Sequence, residues 1–150
     1  MFFDIIDAQK QGDFMSITIK LSNIIDELDM MSSEMQSYLN LKTGKIVPVS
    51  DYICSEEGAA DIEENPDNYI VLPTRHDINE YSIMEDFINV INNNEIKGEL
   101  YDAIRGKGAF RRFKDTICYL NIESKWYEFK ANALKKLAIE WCEENNISYE

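Results

Sequence analysis

Near its beginning, the chain alternates apolar and acidic positions with the period of a helix. The apolar positions that share this period are Leu21, Ile24, Ile25, Leu28 and Met31. Acidic residues between Asp26 and Asp29 occupy the opposite side. An apolar stripe at a spacing of three and four residues is typical of an amphipathic helix with one buried face. We predict a helix of about three turns here, the usual length in globular proteins.

The next segment has the pattern of two strands. Two β-prone runs flank the dipeptide Thr43–Gly44, and a short connection containing glycine between such runs indicates a hairpin. With these two residues as the loop, Leu41 is expected to face Ile46, and Leu39 to face Pro48. Proline has no N–H to donate to a neighbouring strand, so the second strand is predicted at an edge of the sheet.

Two more elements are predicted before the pattern changes. Residues Ser55–Glu64 form an acidic segment with helical spacing, which ends before Asn65–Pro66 because a residue that precedes proline disfavours the helical backbone. Tyr69–Leu72 is an apolar run of strand length, closed by Pro73. We predict a short helix and a third strand.

After Pro73 helical spacing dominates and predicts four helices. Ser82 and Glu85 match a capping box that would open the first helix. The runs Asn92–Asn94 and Gly106–Gly108 separate the first three helices, and the fourth is the longest. The fold class is therefore predicted as α+β: an N-terminal helix and a small antiparallel sheet, made of a hairpin plus a third strand, followed by a four-helix C-terminal half.

The 150 residues suit one domain, because a chain of this length buries roughly two thirds of its unfolded surface. No linker is long enough to separate two domains, so residues 15–150 are predicted to form a single α+β domain. Residues 1–14 are predicted to be an N-terminal extension or a leader. A disordered segment and an ordered arm both stay open there.

The charge is strongly negative and unevenly spread. Twenty-eight acids and fifteen bases give a net charge of −13, which argues against a general nucleic-acid-binding protein and against adhesion to anionic membranes. Residues 46–74 contain seven acids and no base, whereas residues 97–136 contain ten bases and five acids. The chain has no long uncharged stretch and no basic region typical of a secretory signal. We expect a cytoplasmic protein.

The sequence offers little for catalysis. Cys54, Cys118 and Cys142 are too widely spaced to indicate a disulfide framework or a zinc site. The single histidine, His76, stands close to carboxylates with which it could form an acid–base pair, but metal-ligand spacing is missing. We expect no catalytic residue, metal site or cofactor; enzymatic activity stays open, and a non-enzymatic role is favoured.

The most distinctive segment runs from Ala103 to Asp115. Two glycines flank a lysine where a helix is predicted to begin, and exposed backbone N–H groups beside guanidinium groups suit an anion. The candidate anion-binding residues are Arg105, Lys107, Gly108, Arg111 and Arg112, with Asp77 and Glu80 as acids that orient the arginines. In the alternative interpretation, the glycines form a corner between two helices, and the arginines pair with carboxylates such as Glu85 and Asp86.

Several stretches of the chain, this segment among them, resemble a known family. The matching stretches are Leu21–Asp29, Tyr38–Gly44, Ile78–Phe87, Ile104–Asp115, Trp126–Phe129 and Ala138–Asn145. Together they are similar to uncharacterised protein family 0158 of bacteria over about Ile19–Ile147, while residues 1–14 lie outside the pattern. Asn79 stands where this family more often has an acid. The resemblance implies a compact cytoplasmic protein from a bacterium or a phage, and it implies no reaction.

Two functions follow from these features. The first is a non-enzymatic protein-interaction or regulatory module, whose acidic segment Asp51–Asp67 contacts a basic partner surface or imitates a nucleic acid. The alternative is binding or sequestration of a nucleotide or another phosphate anion at the glycine–lysine–glycine and double-arginine segment. Phosphodiester hydrolysis with His76 as acid or base is a third and less favoured interpretation.

Overall fold

The computed structural model describes residues 17–49 and 56–150, with the side chains of Glu56 and Glu57 excepted. In the N-terminal half the elements are α1 (Leu21–Met30), β1 (Gln36–Asn40), β2 (Ile46–Val49), α2 (Glu56–Glu64), a 3-10 turn (Pro66–Asn68) and β3 (Tyr69–Val71). In the C-terminal half they are α3 (Arg75–Ile78), α4 (Glu80–Asn89), α5 (Asn94–Ala103), α6 (Ala109–Tyr119) and α7 (Glu123–Glu144). The predicted α+β class, with its three strands and long helical C-terminal half, is confirmed. The predictions for residues 1–14 lie outside the described residues.

The chain divides into two compact units. The first unit contains the described residues up to Ile78 together with Lys135–Glu150, and the second unit contains Asn79–Leu134. The predicted single domain over residues 15–150 stays a prediction. Of the helices in the described ranges, none has the length and apolar character needed to cross a bilayer.

The first unit is built around an antiparallel sheet with the order β2-β1-β3. Leu39 on the central strand and Leu72 just after β3 are buried. The apolar face of α1, with Ile24 and Leu28, is also buried, as its periodicity predicts. The end of the chain joins this unit: Ile19 forms a parallel bridge with Tyr149.

The predicted hairpin register is wrong by two residues. Leu39 pairs with Ile46, and the loop contains the four residues Leu41–Gly44 instead of two. The cause is Asn40, whose Oδ1 accepts from the amides of Lys42 and Thr43 at 2.8 and 3.2 Å and so turns the chain early. Gly44 closes the loop with a φ of +77°. The edge position predicted from Pro48 is confirmed, since β2 lies at one side of the sheet.

The second unit has an aromatic core. The rings of Phe113 and Trp126 meet edge to face at 4.8 Å, and Phe87 contacts Trp126 at 5.4 Å. All three side chains are buried. Such pairs contribute about 0.5–1.5 kcal/mol beyond the free energy of area burial. The apolar stripes of α4, α6 and α7 therefore meet in one core, as their helical spacing predicts.

The predicted start of α4 is wrong. The helix begins at Glu80, and its N-cap is Asn79 instead of Ser82. Asn79 has a left-handed backbone with a φ of 51°, and its Oδ1 accepts from the amide of Ser82 at 3.3 Å. Asparagine tolerates this backbone conformation better than most residues. The predicted break at Asn92–Asn94 is confirmed, because Asn93 caps the start of α5.

Candidate functional site

The predicted anion-binding segment forms a corner between α5 and α6, defined here as Ile104–Gly108. Helix α5 ends at Ala103 and α6 begins at Ala109. Gly106 and Gly108 have left-handed backbones, with φ values of +71° and +75°. This region costs an L-residue free energy and costs glycine little, so both glycines are required by the turn. The corner anticipated in the alternative interpretation is present.

Arg112 bonds to the main chain of this corner. Its Nε donates to the carbonyl oxygen of Ala103 at 2.8 Å, and its two terminal nitrogens donate to the carbonyl oxygens of Arg105 and Lys107. Carbonyl groups at the end of a helix lack helical donors, and a guanidinium supplies them. The contacts found for Arg112 within the described residues are thus with carbonyl oxygens, whereas both sequence interpretations gave it an anion or a carboxylate.

The remaining basic side chains of the segment face water. Arg105 lies 3.9 Å from the carboxylate of Asp102, with side chains 80% and 77% exposed, and a pair this exposed contributes little to stability. Lys107 and Arg111 are exposed, and within residues 17–49 and 56–150 neither forms an ion pair. The first turn of α6 contains no acid. Lys107, Gly108 and Arg111 therefore remain accessible to an anion.

The two acids predicted to orient the arginines bond to other groups. Asp77 on α3 accepts from the backbone N–H of Thr74 at 2.9 Å, and hydrogen bonds from Thr74 lower the pKa of this carboxyl below its usual 3.8. Glu80 forms an ion pair with Lys130 at 2.5 Å, and the two side chains are only 11% and 16% exposed. Asp77 belongs to the first unit and Glu80 to the second. Their orienting role stays a prediction, and these contacts give it no support.

The thiols and the histidine offer no reactive constellation in the described part of the chain. Burial raises the pKa of the Cys142 thiol to about 11, and a hydrogen bond with Glu123 raises the pKa of the exposed Cys118 thiol. Both thiols are therefore protonated at neutral pH and weakly nucleophilic. His76 is exposed on α3, and the described residues contain no group of three or more side chains arranged to hold a metal ion. Cys54 lies outside them.

The structure describes the acidic segment from Glu56 onward, and Asp51 lies outside the described residues. Glu63, Glu64 and Asp67 are exposed at the end of α2 and in the turn that follows. The last turn of α2 has no base, and carboxylates there face the negative end of the helix dipole. Asp61 differs, because hydrogen bonds from Tyr69 and then Asn65 lower the pKa of its carboxyl.

The net charge of the described residues belongs almost wholly to one unit. Residues 79–134 contain nine acids and eight bases, whereas the described residues of the first unit, 17–49, 56–78 and 135–150, contain fifteen acids and six bases. The second unit is thus nearly neutral, and the basic stretch noticed in the sequence is balanced by acids within the same unit. The described part of the acidic segment, residues 56–67, belongs to the first unit.

Sequence reasoning missed a groove in the second unit. It has a volume of about 600 Å³, within the range usual for ligand pockets. Its lining consists of Phe87, Val90, Ile91, Asn92, Asn93, Ile96, Ile122, Lys125, Glu128, Phe129 and Asn132. These residues come from the end of α4, the connection between α4 and α5, the start of α5, the residue before α7 and the first half of α7. The sequence pattern indicates only a helix break at the run of asparagines, and no motif distinguishes the other lining residues from core.

Comparisons with known proteins agree with the resemblance seen in the sequence. No solved structure matches this chain. A relative is "UPF0158 protein PA5073" of Pseudomonas aeruginosa, which is 24% identical over 132 residues, covering 87% of this chain and 85% of that protein. The model of "Uncharacterised protein family (UPF0158)" matches residues 15–150, a range that includes both compact units and the corner. The chain belongs to the uncharacterised protein family UPF0158.

Proposed function

We propose that this protein is a non-enzymatic interaction module whose acidic first unit contacts a basic surface of a partner protein. The observation that carries the proposal is the concentration of net charge on the stretches of chain that form this unit. Charge of one sign on one surface steers a partner of the opposite sign and raises the rate of encounter. A nearly neutral second unit would not oppose that approach.

The end of α2 is a part of this surface where a cation is favoured. Glu63 and Glu64 lie where the helix dipole disfavours a negative charge, an effect of about 0.3–1 kcal/mol per group at low ionic strength. Asp67 adds a third exposed carboxylate nearby in the chain. Lysine or arginine side chains of a partner would offset this repulsion, and the binding should weaken as salt is added.

Free cysteines support a further part of the proposal, a cytoplasmic location. Cys118 and Cys142 are unpaired thiols, as is usual in a reducing compartment. The thiol chemistry and the absence of a metal cluster among the described residues leave the enzyme hypothesis without an observation in its favour.

The test compares two triple variants that change the charge equally. Glu63→Gln/Glu64→Gln/Asp67→Asn removes three carboxylates from the acidic segment, and Glu85→Gln/Asp86→Asn/Glu95→Gln removes three exposed ones from the second unit. Each protein is expressed in its source cells, crosslinked and purified with its partners for quantitative mass spectrometry. A partner that crosslinks to the wild type and the control but is lost with the first variant supports the proposal. Equal recovery with both variants would refute it.

A second candidate is binding of a phosphate anion at the corner. The observation in its favour is the exposure of Lys107 and Arg111 beside the N-terminus of α6, whose first turn has no acid. Thermal unfolding with inorganic phosphate, nucleotides and cyclic dinucleotides tests it, since a ligand at a hundred times its Kd stabilises the fold by about 2.7 kcal/mol. Arg111→Ala should abolish the gain, and Lys114→Ala on the same helix is the matched control. A gain that survives Lys107→Ala/Arg111→Ala would exclude this site.

A further inference from the structure

Arg112 is unusual in the number of main-chain groups that it contacts. Three different nitrogens of its guanidinium donate to three carbonyl oxygens, those of Ala103, Arg105 and Lys107. Its own backbone N–H donates to the carbonyl oxygen of Gly108 at 3.0 Å. A guanidinium holds its donors in a rigid plane, so the three acceptors must keep a fixed arrangement around it.

Each of these carbonyl groups would otherwise depend on water. Ala103 is the last residue of α5, and Arg105 and Lys107 follow it in the non-helical corner. A positive charge at the C-terminal end of a helix is also favoured by the helix dipole. The side chain of Arg112 therefore satisfies the end of α5 from the first turn of α6.

A second side chain holds the carbonyl group of Ile104, which lies between two of those that Arg112 contacts. The hydroxyl of Tyr81 on α4 donates to the carbonyl oxygen of Ile104 at 3.0 Å. The ring of Tyr81 lies edge to face with Phe110, at a centroid distance of 6.5 Å. Four carbonyl oxygens from Ala103 to Lys107 thus accept hydrogen bonds from two side chains.

The glycines of the corner differ in how closely the guanidinium approaches them. A Cβ built at Gly108 would lie 3.1 Å from Nη1 of Arg112, whereas a Cβ at Gly106 would meet no atom within 4 Å. Gly108 is therefore needed for its backbone conformation and also for the approach of Arg112. Gly106 is needed for its backbone conformation alone.

We infer that Arg112 stabilises the corner between α5 and α6 through hydrogen bonds to its carbonyl groups, and that its role is in the fold and not in binding a ligand. The neighbouring Arg111 is exposed, and within the described residues no hydrogen bond or ion pair of its side chain is found. Within the double arginine, one residue fixes the backbone and the other is accessible to an outside group. This inference concerns the corner itself and stands whether or not the proposed function is correct.

Limited proteolysis tests this role of Arg112, because the corner contains two trypsin sites, at Arg105 and Lys107, and both residues are exposed. The variants are Arg112→Ala and Arg112→Lys, with Arg111→Ala as the matched control. Lysine keeps the charge, but its three donors share one nitrogen and do not match acceptors arranged around three nitrogens of a planar guanidinium. We expect cleavage after Arg105 or Lys107 to accelerate on the order of tenfold in both Arg112 variants, since a loss of about 1.4 kcal/mol from a local opening equilibrium is a factor of ten.

Hydrogen exchange separates local opening from a general loss of stability. Amides of residues 103–108 should exchange faster in both Arg112 variants, while those around the buried Trp126 keep their wild-type protection. The same change at the corner in Arg111→Ala, full rescue by Arg112→Lys, or wild-type cleavage of Arg112→Ala would each overturn the inference. Should Arg112→Ala fail to fold, Arg112→Lys alone decides the outcome by the same two measurements.

Discussion

Alanine substitution at three glycines of the second unit separates backbone conformation from side-chain contact. Gly98 lies inside α5 with open space around its Cβ position. Gly106 has a left-handed backbone and open space. Gly108 has a left-handed backbone, and a Cβ atom added there would lie 3.1 Å from Nη1 of Arg112. The three substitutions add the same methyl group, so their effects on unfolding free energy can be compared directly.

The expected order follows from these geometries. Gly98→Ala should stabilise by about 0.5–1 kcal/mol, the difference between alanine and glycine inside a helix. Gly106→Ala should destabilise by about 1–2 kcal/mol, the cost of the left-handed backbone for an L-residue. Gly108→Ala should cost about 0.5–1.5 kcal/mol more than Gly106→Ala, because the methyl group shifts Nη1 of Arg112 by a few tenths of an ångström and weakens its hydrogen bonds to carbonyl oxygens.

Urea unfolding followed by far-ultraviolet circular dichroism gives these differences as shifts in midpoint at constant slope. Thermal unfolding should agree, with roughly 2–4 °C for each kcal/mol in a chain of this size. The double variant Gly108→Ala/Arg112→Ala is the decisive control. Once Arg112 is shortened, the extra cost of Gly108→Ala over Gly106→Ala should vanish. Equal costs for the two glycines in the wild-type background would refute the close approach of Arg112 to the corner.

Three further predictions concern pairs and thiols elsewhere in the chain. Lys130→Met should lower the unfolding free energy in urea by about 1–3 kcal/mol, because it removes the ammonium that lies 2.5 Å from the mostly buried carboxylate of Glu80. The double variant Glu80→Gln/Lys130→Met should recover part of that loss. Hydrogen bonding by Tyr69 lowers the pKa of the Asp61 carboxyl below 3.8. The wild type should therefore be more stable than Tyr69→Phe above that pH, and the difference in unfolding free energy should disappear as the pH falls through the folded-state pKa. A difference that grew on acidification would contradict this linkage. Burial raises the pKa of the Cys142 thiol to about 11, so iodoacetamide at pH 8 should label Cys142 far more slowly than an exposed thiol. Peptide mass spectrometry measures the labelling, and equal labelling rates in the native protein would contradict the burial of Cys142.

The helices and strands were predictable because burial imposes a period. Ile24 and Leu28 predict α1, and Phe113 predicts α6, through spacing alone. The errors in the hairpin register and in the start of α4 arose where a side chain accepts hydrogen bonds from the backbone of residues two or three positions further along. Asn40 turns the hairpin two residues early, and Asn79 begins α4 before the capping box. These short-range hydrogen bonds have no period, so a pattern of hydrophobic and polar residues does not contain them.

The candidate site shows a different limit of sequence reasoning. Its glycines and basic residues are adjacent in the chain, so their grouping at a corner was predictable. The directions in which the two arginines point were not predictable. Arg111 and Arg112 project about 100° apart around α6, so the spacing does not say which of them faces the end of α5. One reaches the carbonyl oxygens of the preceding helix and the other reaches water. The choice depends on where α5 ends in space, and residue types alone do not encode that position.

The bridge between Ile19 and Tyr149 has a consequence for synthesis on the ribosome. The first unit also depends on the hydrogen bond from Trp141 Nε1 to the carbonyl oxygen of Val71 at 3.0 Å, which joins residues seventy positions apart. The second unit is continuous from Asn79 to Leu134 and leaves the ribosome whole before these late partners emerge. Translation therefore places completion of the acidic unit after every residue of the second unit has emerged. A nascent chain stalled when Leu134 has just left the ribosome would present all residues of the second unit and an incomplete first unit.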